Sequence, residues 1–413
     1  MTNTDRKPLI FGIMMTAGCA VGAGMFSIPV VASGMWFPLA ICSMFIIWLV
    51  NYLSSLVIME VCFNFPVGTS FDTFTSKLLG KIGKIVMGLS AGFLLYILLY
   101  AYFSAFGNMA ANIIAVDFLS SSVFVSQGFL SLLLGCALAI LVWISTSMVG
   151  RISTVLVIAM AISFVIAMSG GLAEINIVQL FVSAPQDENY FSCLWAGLPY
   201  FMISFGFATM VPSLYKYYGK DIAKIKSSLF YGSFTALVVY IVFIVVNFGI
   251  LSRSEFVPIN AAGGNIGNLV SALENKMGQG TIQSSLNLFS NFAIASSFLG
   301  IGLNLFDYIA DTFSIGNDIK GRFYTACITF LPPGVANFFF PNGFIAAIGF
   351  AGLVVFIGFF LLPFLMVWKL RSQKAIATYR LSGGKPVILL VIIVSGIAAI
   401  CHVLAMLDFL PKL

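Results

Sequence analysis

The stretch "AVGAGMFSIP" at residues 20–29 decides how this chain folds. It lies inside the first long apolar segment, yet Gly22, Ala23 and Gly24 interrupt that segment and Pro29 follows them. Irregular backbone at membrane depth is tolerated only where it lines a cavity or is buried in protein, because lipid offers no hydrogen-bond partners. Close packing of helices through small residues is the alternative explanation. A second interruption elsewhere in the chain would favour the cavity.

The composition is that of a membrane protein. The chain has 413 residues, of which 60% are hydrophobic and 8% charged, against about 25% charged in soluble proteins. Apolar segments long enough to cross a bilayer core of about 30 Å recur along the whole chain. The sequence therefore predicts an all-α integral membrane protein with one membrane domain, residues 1–413, and eleven transmembrane helices. Their approximate limits are 9–33, 36–60, 85–108, 128–147, 152–172, 192–213, 228–251, 284–311, 322–340, 343–368 and 386–407.

The distribution of basic residues predicts the orientation. With eleven spans and a cytoplasmic N-terminus, every Lys and Arg except Arg253, Lys276 and Lys412 falls on the cytoplasmic side. This bias is what the positive-inside rule describes, and it puts the C-terminus in the periplasm. The net charge of +6 then reflects orientation and does not indicate a nucleic-acid partner. The expected partners are the lipid bilayer and a small molecule, and the sequence does not indicate an oligomeric state.

The sixth span contains the second interruption. It reads "GLPYFMISFGFATMVPS" at residues 197–213, with Pro199 early, Gly206 at the centre and Pro212 late. The first and sixth spans stand five apart and cross the membrane in opposite directions. Interrupted helices at corresponding positions of two inverted halves point to a transporter binding site. We expect a first repeat over 9–172, a second over 192–368, and a peripheral helix over 386–407.

These interruptions would expose backbone groups that suit an α-amino acid. Free N–H groups near Gly22, Ala23 and Gly24 would bind a carboxylate at the positive end of the outer half-helix. Free carbonyls near Ala17 and Gly18, and in the sixth span, would accept an ammonium group or a small cation. The candidate substrate-binding residues in the two spans are Ala17, Gly18, Gly22, Ala23, Gly24, Ser204, Phe205, Gly206 and Phe207.

Several stretches resemble a known family. They include "GAGMFSIPVVASGMWF" (22–37), "GTSFDTFTSKLLGK" (68–81), "VPSLYKYYGKD" (211–221), "LFDYIADTF" (305–313) and "LPPGVANFFFPNGFIAAIGFAG" (331–352). The chain resembles the hydroxy/aromatic amino acid permeases, and among them the tryptophan and tyrosine permeases of bacterial inner membranes. The resemblance implies eleven spans, a leucine-transporter (LeuT-like) fold with a 5+5 inverted repeat, and ion-coupled uptake.

Aromatic side chains near the breaks are candidates for the substrate's ring. Tyr96, Tyr100 and Phe103 share one face of the third span because of their helical spacing, and rings facing the breaks would stack on an indole or phenol. Phe205 and Phe207 flank the central glycine of the sixth span, and we expect one of them to touch substrate. Packing against lipid or other helices is the alternative for each of these residues.

The coupling ion is either sodium or a proton. Ala293, Ser296 and Ser297 in the eighth span would face the first break, and the resemblance implies that they coordinate sodium with carbonyls near Ala17 and Ala20. Glu60 and Asp307 are the alternative, as proton carriers, since acids within spans are functional candidates. Family members often carry a lysine where this chain has Met160, and tryptophan carriers often have a histidine where it has Ala208. Proton coupling through those two positions is therefore excluded.

The predicted function is symport of an aromatic amino acid, tryptophan first and tyrosine second, into a bacterium across its inner membrane by alternating access. The chain is not expected to be an enzyme or to carry a cofactor. Transport of another neutral amino acid, such as serine or threonine, is one alternative. An intramembrane hydrolase is another, but Asp307 and Asp311 are the only paired acids that it could use.

Overall fold

A computed structural model describes residues 7–69, 71–117, 127–181, 190–277, 280–373, 379–407 and 409–410, and every regular element in these ranges is helical. The helices are α1 (Leu9–Ala20), α2 (Ser27–Ala32), α3 (Trp36–Cys62), α4 (Phe71–Asp117), α5 (Gln127–Ile144), α6 (Thr146–Ala173), α7 (Ile177–Phe181), α8 (Tyr190–Ser204), α9 (Val211–Tyr218), α10 (Ile222–Ile250), α11 (Arg253–Ala261), α12 (Ile266–Glu274), α13 (Thr281–Phe313), α14 (Ile319–Phe339), α15 (Phe344–Val355), α16 (Leu362–Ser372) and α17 (Gly384–Met406).

Ten segments in the described ranges are long and apolar enough to cross a membrane, when the bent first pair of helices is counted as one span. The expected count of eleven is therefore not confirmed. The predicted span 322–340 does form a helix, α14, but it is less apolar than the others because it carries Lys320, Arg322 and two prolines, Pro332 and Pro333.

Both predicted interruptions are present. In the first span, α1 ends at Ala20, a short 3₁₀ turn runs over Ala23–Phe26, and the two halves meet at an angle of 48°. In the sixth span, α8 ends at Ser204 and a 3₁₀ turn over Gly206–Met210 leads into α9. The small residues thus break both helices at the positions that the sequence indicates.

The α11–α12 segment covers the breaks on the side where the first span ends. The apolar face of α12 is buried, with Ile266 and Leu269 fully inaccessible. Arg253 at the start of α11 donates to the carbonyls of Ser33 and Gly34, which terminate α2. These contacts close one end of the molecule over the breaks.

A salt bridge between Glu255 and Lys276, 2.8 Å apart, closes the α11–α12 segment on itself. Burial acts to raise the pKa of Glu255, but hydrogen bonds from Lys276 and Ser252 outweigh it and hold the pKa below its ordinary value.

A buried ion pair links the C-terminal ends of α3 and α16, on the side of the molecule where α1 begins. Arg371 donates from Nε and Nη2 to the two carboxylate oxygens of Glu60, at 2.8 and 2.7 Å. The backbone N–H of Leu381, in the connection to α17, donates to the same carboxylate at 2.8 Å. Both charged side chains are more than nine-tenths buried. The pair therefore ties three parts of the chain together at this end.

We expect Glu60→Gln to destabilise the protein strongly, because it leaves the buried guanidinium of Arg371 without its counter-ion, at a cost of about 3–5 kcal/mol. The double variant Glu60→Met/Arg371→Met should be more stable than Glu60→Gln, since it leaves no buried charge unpaired. Thermal unfolding of the purified protein in detergent measures both. A midpoint for Glu60→Gln equal to that of the wild type would contradict this account.

Candidate functional site

A cavity of about 540 Å³ lies between the two breaks. Gly18, Gly22 and Gly24 line it from the first span, and Ser204 and Gly206 from the sixth. Much of the remaining wall is apolar and comes from α4, α13 and the α15–α16 region, while α3 contributes Asn51 and α6 contributes Val157. Several wall residues lie toward the side where α1 begins, among them Met15, Leu94, Asn304 and Phe360. The cavity therefore extends from the breaks toward the end opposite α11 and α12.

The first break frees both a donor and an acceptor at the cavity. The last amide that continues the helical pattern of α1 is that of Val21, which donates to Ala17. In a continuous helix the Gly22 N–H would donate to the Gly18 carbonyl, but α1 ends before Gly22. The Gly18 carbonyl and the Gly22 N–H therefore both lack a helical partner. In the described part of the chain, the N–H groups of Gly22 and Gly24 have no acceptor. One interruption thus offers groups for both charges of a zwitterion.

Tyr240 on α10 joins the ends of the two inner half-helices. Its hydroxyl lies 2.6 Å from the carbonyl oxygen of Ala20 and 2.7 Å from that of Ser204. One phenol proton thus serves two carbonyls that the breaks would otherwise leave unpaired. The carbonyl of Phe205 accepts from the N–H of Phe207. Of the carbonyls expected to hold an ammonium group, those of Ala17, Ser204 and Phe205 each already accept one hydrogen bond, whereas that of Gly18 has no donor among the described residues.

The eighth span, α13, faces the first break as predicted. The hydroxyl of Ser297 accepts a hydrogen bond of 3.0 Å from the N–H of Ala23, and both Ser296 and Ser297 line the cavity. Ala293 is fully buried, and its carbonyl accepts from Ser296 at 3.2 Å. A carbonyl oxygen has two lone pairs, so the oxygens of Ala17, Ala20 and Ala293 keep the capacity to coordinate a cation.

The packing of α6 against α13 places Met160 beside this cluster. Gly170 contacts Ile282, and the rings of Phe164 and Phe289 lie 5.1 Å apart. The two helices are therefore antiparallel, and the same register brings Met160 opposite Ala293. Met160 is 5% exposed, so an apolar side chain is buried at the level of the predicted cation ligands on α13.

The aromatic face of the third span lies away from the cavity, contrary to expectation. The hydroxyls of Tyr96 and Tyr100 donate to the carbonyls of Ile328 and Phe340, at 2.8 and 2.7 Å, and neither residue is part of the cavity wall. Phe205 and Phe207 are completely buried and also stand behind the wall. Ala17 and Ala23 likewise do not line the cavity. Helical spacing groups residues on one face but does not say which neighbour that face meets.

Other residues occupy the places expected for these side chains. From α4, the cavity wall includes Leu98 and Tyr102. Phe359 and Phe360 also line the cavity, and they belong to a π-helical turn, Phe356–Leu361, between α15 and α16. Asn51 of α3 also lines the cavity. The sequence carries no evident signal for the π-helical turn, but a polar Asn51 inside an apolar span was a signal that could have been used.

The two acids proposed for coupling are not at the cavity. Glu60 is held in the ion pair with Arg371, and Asp307 is exposed on the last turns of α13. Neither residue lines the cavity. In this structure Glu60 is therefore part of a buried ion pair, and neither acid lies at the breaks.

A helical membrane protein whose central cavity lies between two broken spans has the architecture of a small-molecule transporter. The chain belongs to the tryptophan/tyrosine permease family, whose model matches residues 5–402. It is 41% identical over 411 residues to the tryptophan-specific transport protein of Pseudomonas aeruginosa, covering 100% of this chain and 98% of the relative. It is 38% identical over 409 residues to the tyrosine permease of Enterobacter agglomerans, covering 98% and 97% of the two chains. Identity to the low affinity tryptophan permease of Escherichia coli K12 is 34% over 416 residues, with complete coverage of both.

Membership of this family identifies the protein as a multi-pass transporter of a bacterial type and not as an enzyme. The alternative of an intramembrane hydrolase is therefore wrong.

We expect Gly22→Ala to impair transport of the family's aromatic substrates by about tenfold or more, because small displacements of binding groups are costly. The added methyl group would lie 2.9 Å from the Ser297 hydroxyl and would displace it from the Ala23 N–H. Gly150→Ala is the control, since Gly150 is an exposed helical glycine with open space around it. Initial rates of tryptophan uptake measure the effect, and equal rates in the two variants would refute it.

Proposed function

We propose that this protein imports aromatic amino acids, tryptophan first and tyrosine second, across the inner membrane of a bacterium by ion-coupled alternating access. The observation that carries the proposal is the cavity between the breaks, which combines free backbone groups at one end with a largely apolar wall. Its volume of about 540 Å³ lies within the range of small-molecule binding sites, about 300–1,000 Å³. The substrates named for the relatives fit this combination.

The backbone at the first break would hold the charged end of the amino acid. Gly22 and Gly24 line the cavity at the start of the helical segment Ala23–Ala32, where the helix dipole favours a carboxylate, and their N–H groups would bind it. The freed Gly18 carbonyl would accept from the ammonium group. Since these groups belong to the backbone, they recognise any α-amino acid. Selection among amino acids must then come from the wall that surrounds the side chain.

The wall suits a large aromatic side chain. Leu94, Leu98, Ile301, Phe359 and Phe360 supply apolar surface. Residues with small side chains leave the necessary space, and these are Ala91, Gly206, Ala208 and Gly300. Burial of an aromatic ring against such a surface contributes more binding free energy than burial of a small polar side chain. A serine or threonine carrier would leave much of this apolar volume unfilled.

In the proposed cycle this structure would be the inward-facing state. With the N-terminus in the cytoplasm, the cavity extends from the breaks toward the cytoplasmic side. The α11–α12 segment, buried at Ile266 and Leu269 and tied to α2 through Arg253, seals the periplasmic side. Alternating access would require the contacts of the α11–α12 segment to open, while the Glu60–Arg371 pair is already formed at the end toward which the cavity extends and would stay formed. The two repeats, 9–172 and 192–368, would carry the motion.

We assign sodium as the coupling ion. The support is that Ala20, Ser296 and Ser297 line the cavity beside the first break, where Ser297 accepts from the Ala23 N–H. The carbonyls of Ala17 and Ala293 would complete this cluster of oxygen ligands. Met160, which is apolar, leaves no positive charge beside that cluster. The proton alternative has weaker support because Glu60 is committed to Arg371 and Asp307 lies away from the cavity. The protein itself would supply every ligand of the ion, and no cofactor is proposed.

Uptake of radiolabelled tryptophan into proteoliposomes tests the proposed function. We expect accumulation when sodium is higher outside, and competition by unlabelled tryptophan most strongly and by tyrosine next. Stronger competition by serine, threonine or leucine would reject the aromatic assignment. Undiminished uptake driven by a pH gradient in sodium-free buffer would overturn the choice of sodium and favour a proton.

Met160→Lys should abolish sodium dependence. By the register of α6 and α13, the new ammonium group would lie beside Ala293 and take the place of the ion through its own charge. The matched control is Met168→Lys, which adds the same charge at another buried methionine of α6, about two helical turns from Met160. Uptake measured with and without sodium reports the result. Sodium dependence that persists in folded Met160→Lys would place the ion elsewhere.

A further inference from the structure

Asn51 presents an unused hydrogen-bond acceptor to the cavity. It lies near the middle of α3, is 1% exposed, and forms part of the cavity wall. Its side-chain Nδ2 donates to the carbonyl of Ile47, one turn earlier, at 3.0 Å. This bond sets the orientation of the amide, because only the nitrogen end can donate to a carbonyl. The oxygen Oδ1 has no partner among the described residues.

The position of this acceptor is set by contacts between α3 and the π-helical turn Phe356–Leu361. Ser54, one turn after Asn51, donates to the carbonyl of Phe359 at 2.9 Å. Phe359 and Phe360 line the same cavity as Asn51. π-Helical turns are often found at functional sites. A single polar oxygen therefore stands on the α3 wall of a cavity to which the same turn adds two phenyl rings.

An aromatic ring with one N–H group complements this arrangement. An indole N–H is a donor only and needs one acceptor when it is buried, while an acceptor such as Oδ1 costs free energy if a bound ring leaves it unpaired. We infer that Asn51 Oδ1 accepts a hydrogen bond from the indole N–H of tryptophan and makes the site prefer this ring to one without a donor. The inference rests on the proposed function, because it concerns the side chain of the same substrate.

Asn304 is the other cavity amide and serves as a comparison. It is exposed, so water can satisfy its oxygen when no donor is bound. A polar group that stays hydrated discriminates little between ligands. A buried acceptor whose only donor would be the ligand discriminates strongly against a ligand without that donor. The buried Asn51 is therefore the residue assigned to ring recognition.

The test compares tryptophan with benzothienylalanine, an analogue of nearly the same shape in which sulfur replaces the indole N–H. The wild type should favour tryptophan by about fivefold or more, measured as the ratio of inhibition constants against labelled tryptophan uptake, since one hydrogen bond is gained or lost. This comparison needs no variant. A ratio near one in the wild type would overturn the inference while leaving aromatic transport intact.

Variants then locate the acceptor. Asn51→Leu should bring the ratio close to one, whereas Asn304→Leu should leave it unchanged. Asn247→Leu is the matched control, because Asn247 is also buried, also donates to the carbonyl one turn earlier (Phe243, 2.8 Å), and does not line the cavity. Persistence of the preference in Asn51→Leu, or its loss in Asn304→Leu alone, would contradict the assignment. Absence of any tryptophan uptake in the wild type would instead reject the proposed function.

Discussion

The unwound backbone of the two broken spans must find hydrogen-bond partners on other helices, and the site depends on how this requirement is met. Tyr240 satisfies the carbonyls of Ala20 and Ser204, and Ser297 accepts from the N–H of Ala23. Because lipid provides no partners, each break is stable only while α10 and α13 stay in place. The helices that enclose the cavity are therefore also the ones that keep its backbone irregular.

This pairing is incomplete, and the incompleteness is what makes a binding site. Tyr240 and Ser297 take up three backbone groups, while the N–H groups of Gly22 and Gly24 and the carbonyl of Gly18 stay open to the cavity. Leaving such groups unpaired in an apolar interior costs free energy. A zwitterionic ligand that satisfies them recovers this cost, which is a physical reason for a transporter to place its binding site at a broken helix.

The two ends of the molecule are held by contacts of different kinds. On one side, Arg253 binds the carbonyls that end α2, and α12 buries an apolar face. On the other, Glu60 and Arg371 form a buried pair that also binds the Leu381 N–H. Removing one partner of a buried ion pair is strongly destabilising, so the Glu60–Arg371 pair holds its end of the molecule firmly.

Features that depend on local chemistry could be predicted from the amino-acid sequence. Apolar length predicted most of the spans, and Gly22, Gly24 and Gly206 predicted the breaks because small, flexible residues weaken helices at any depth. The tertiary structure decided which side chains face the cavity. Tyr96 and Tyr100 share a helical face as predicted, yet that face meets α14, while Asn51, Phe359 and Phe360 reach the cavity from other parts of the chain. Periodicity is a property of one helix, but the direction in which a face points depends on packing against all of its neighbours.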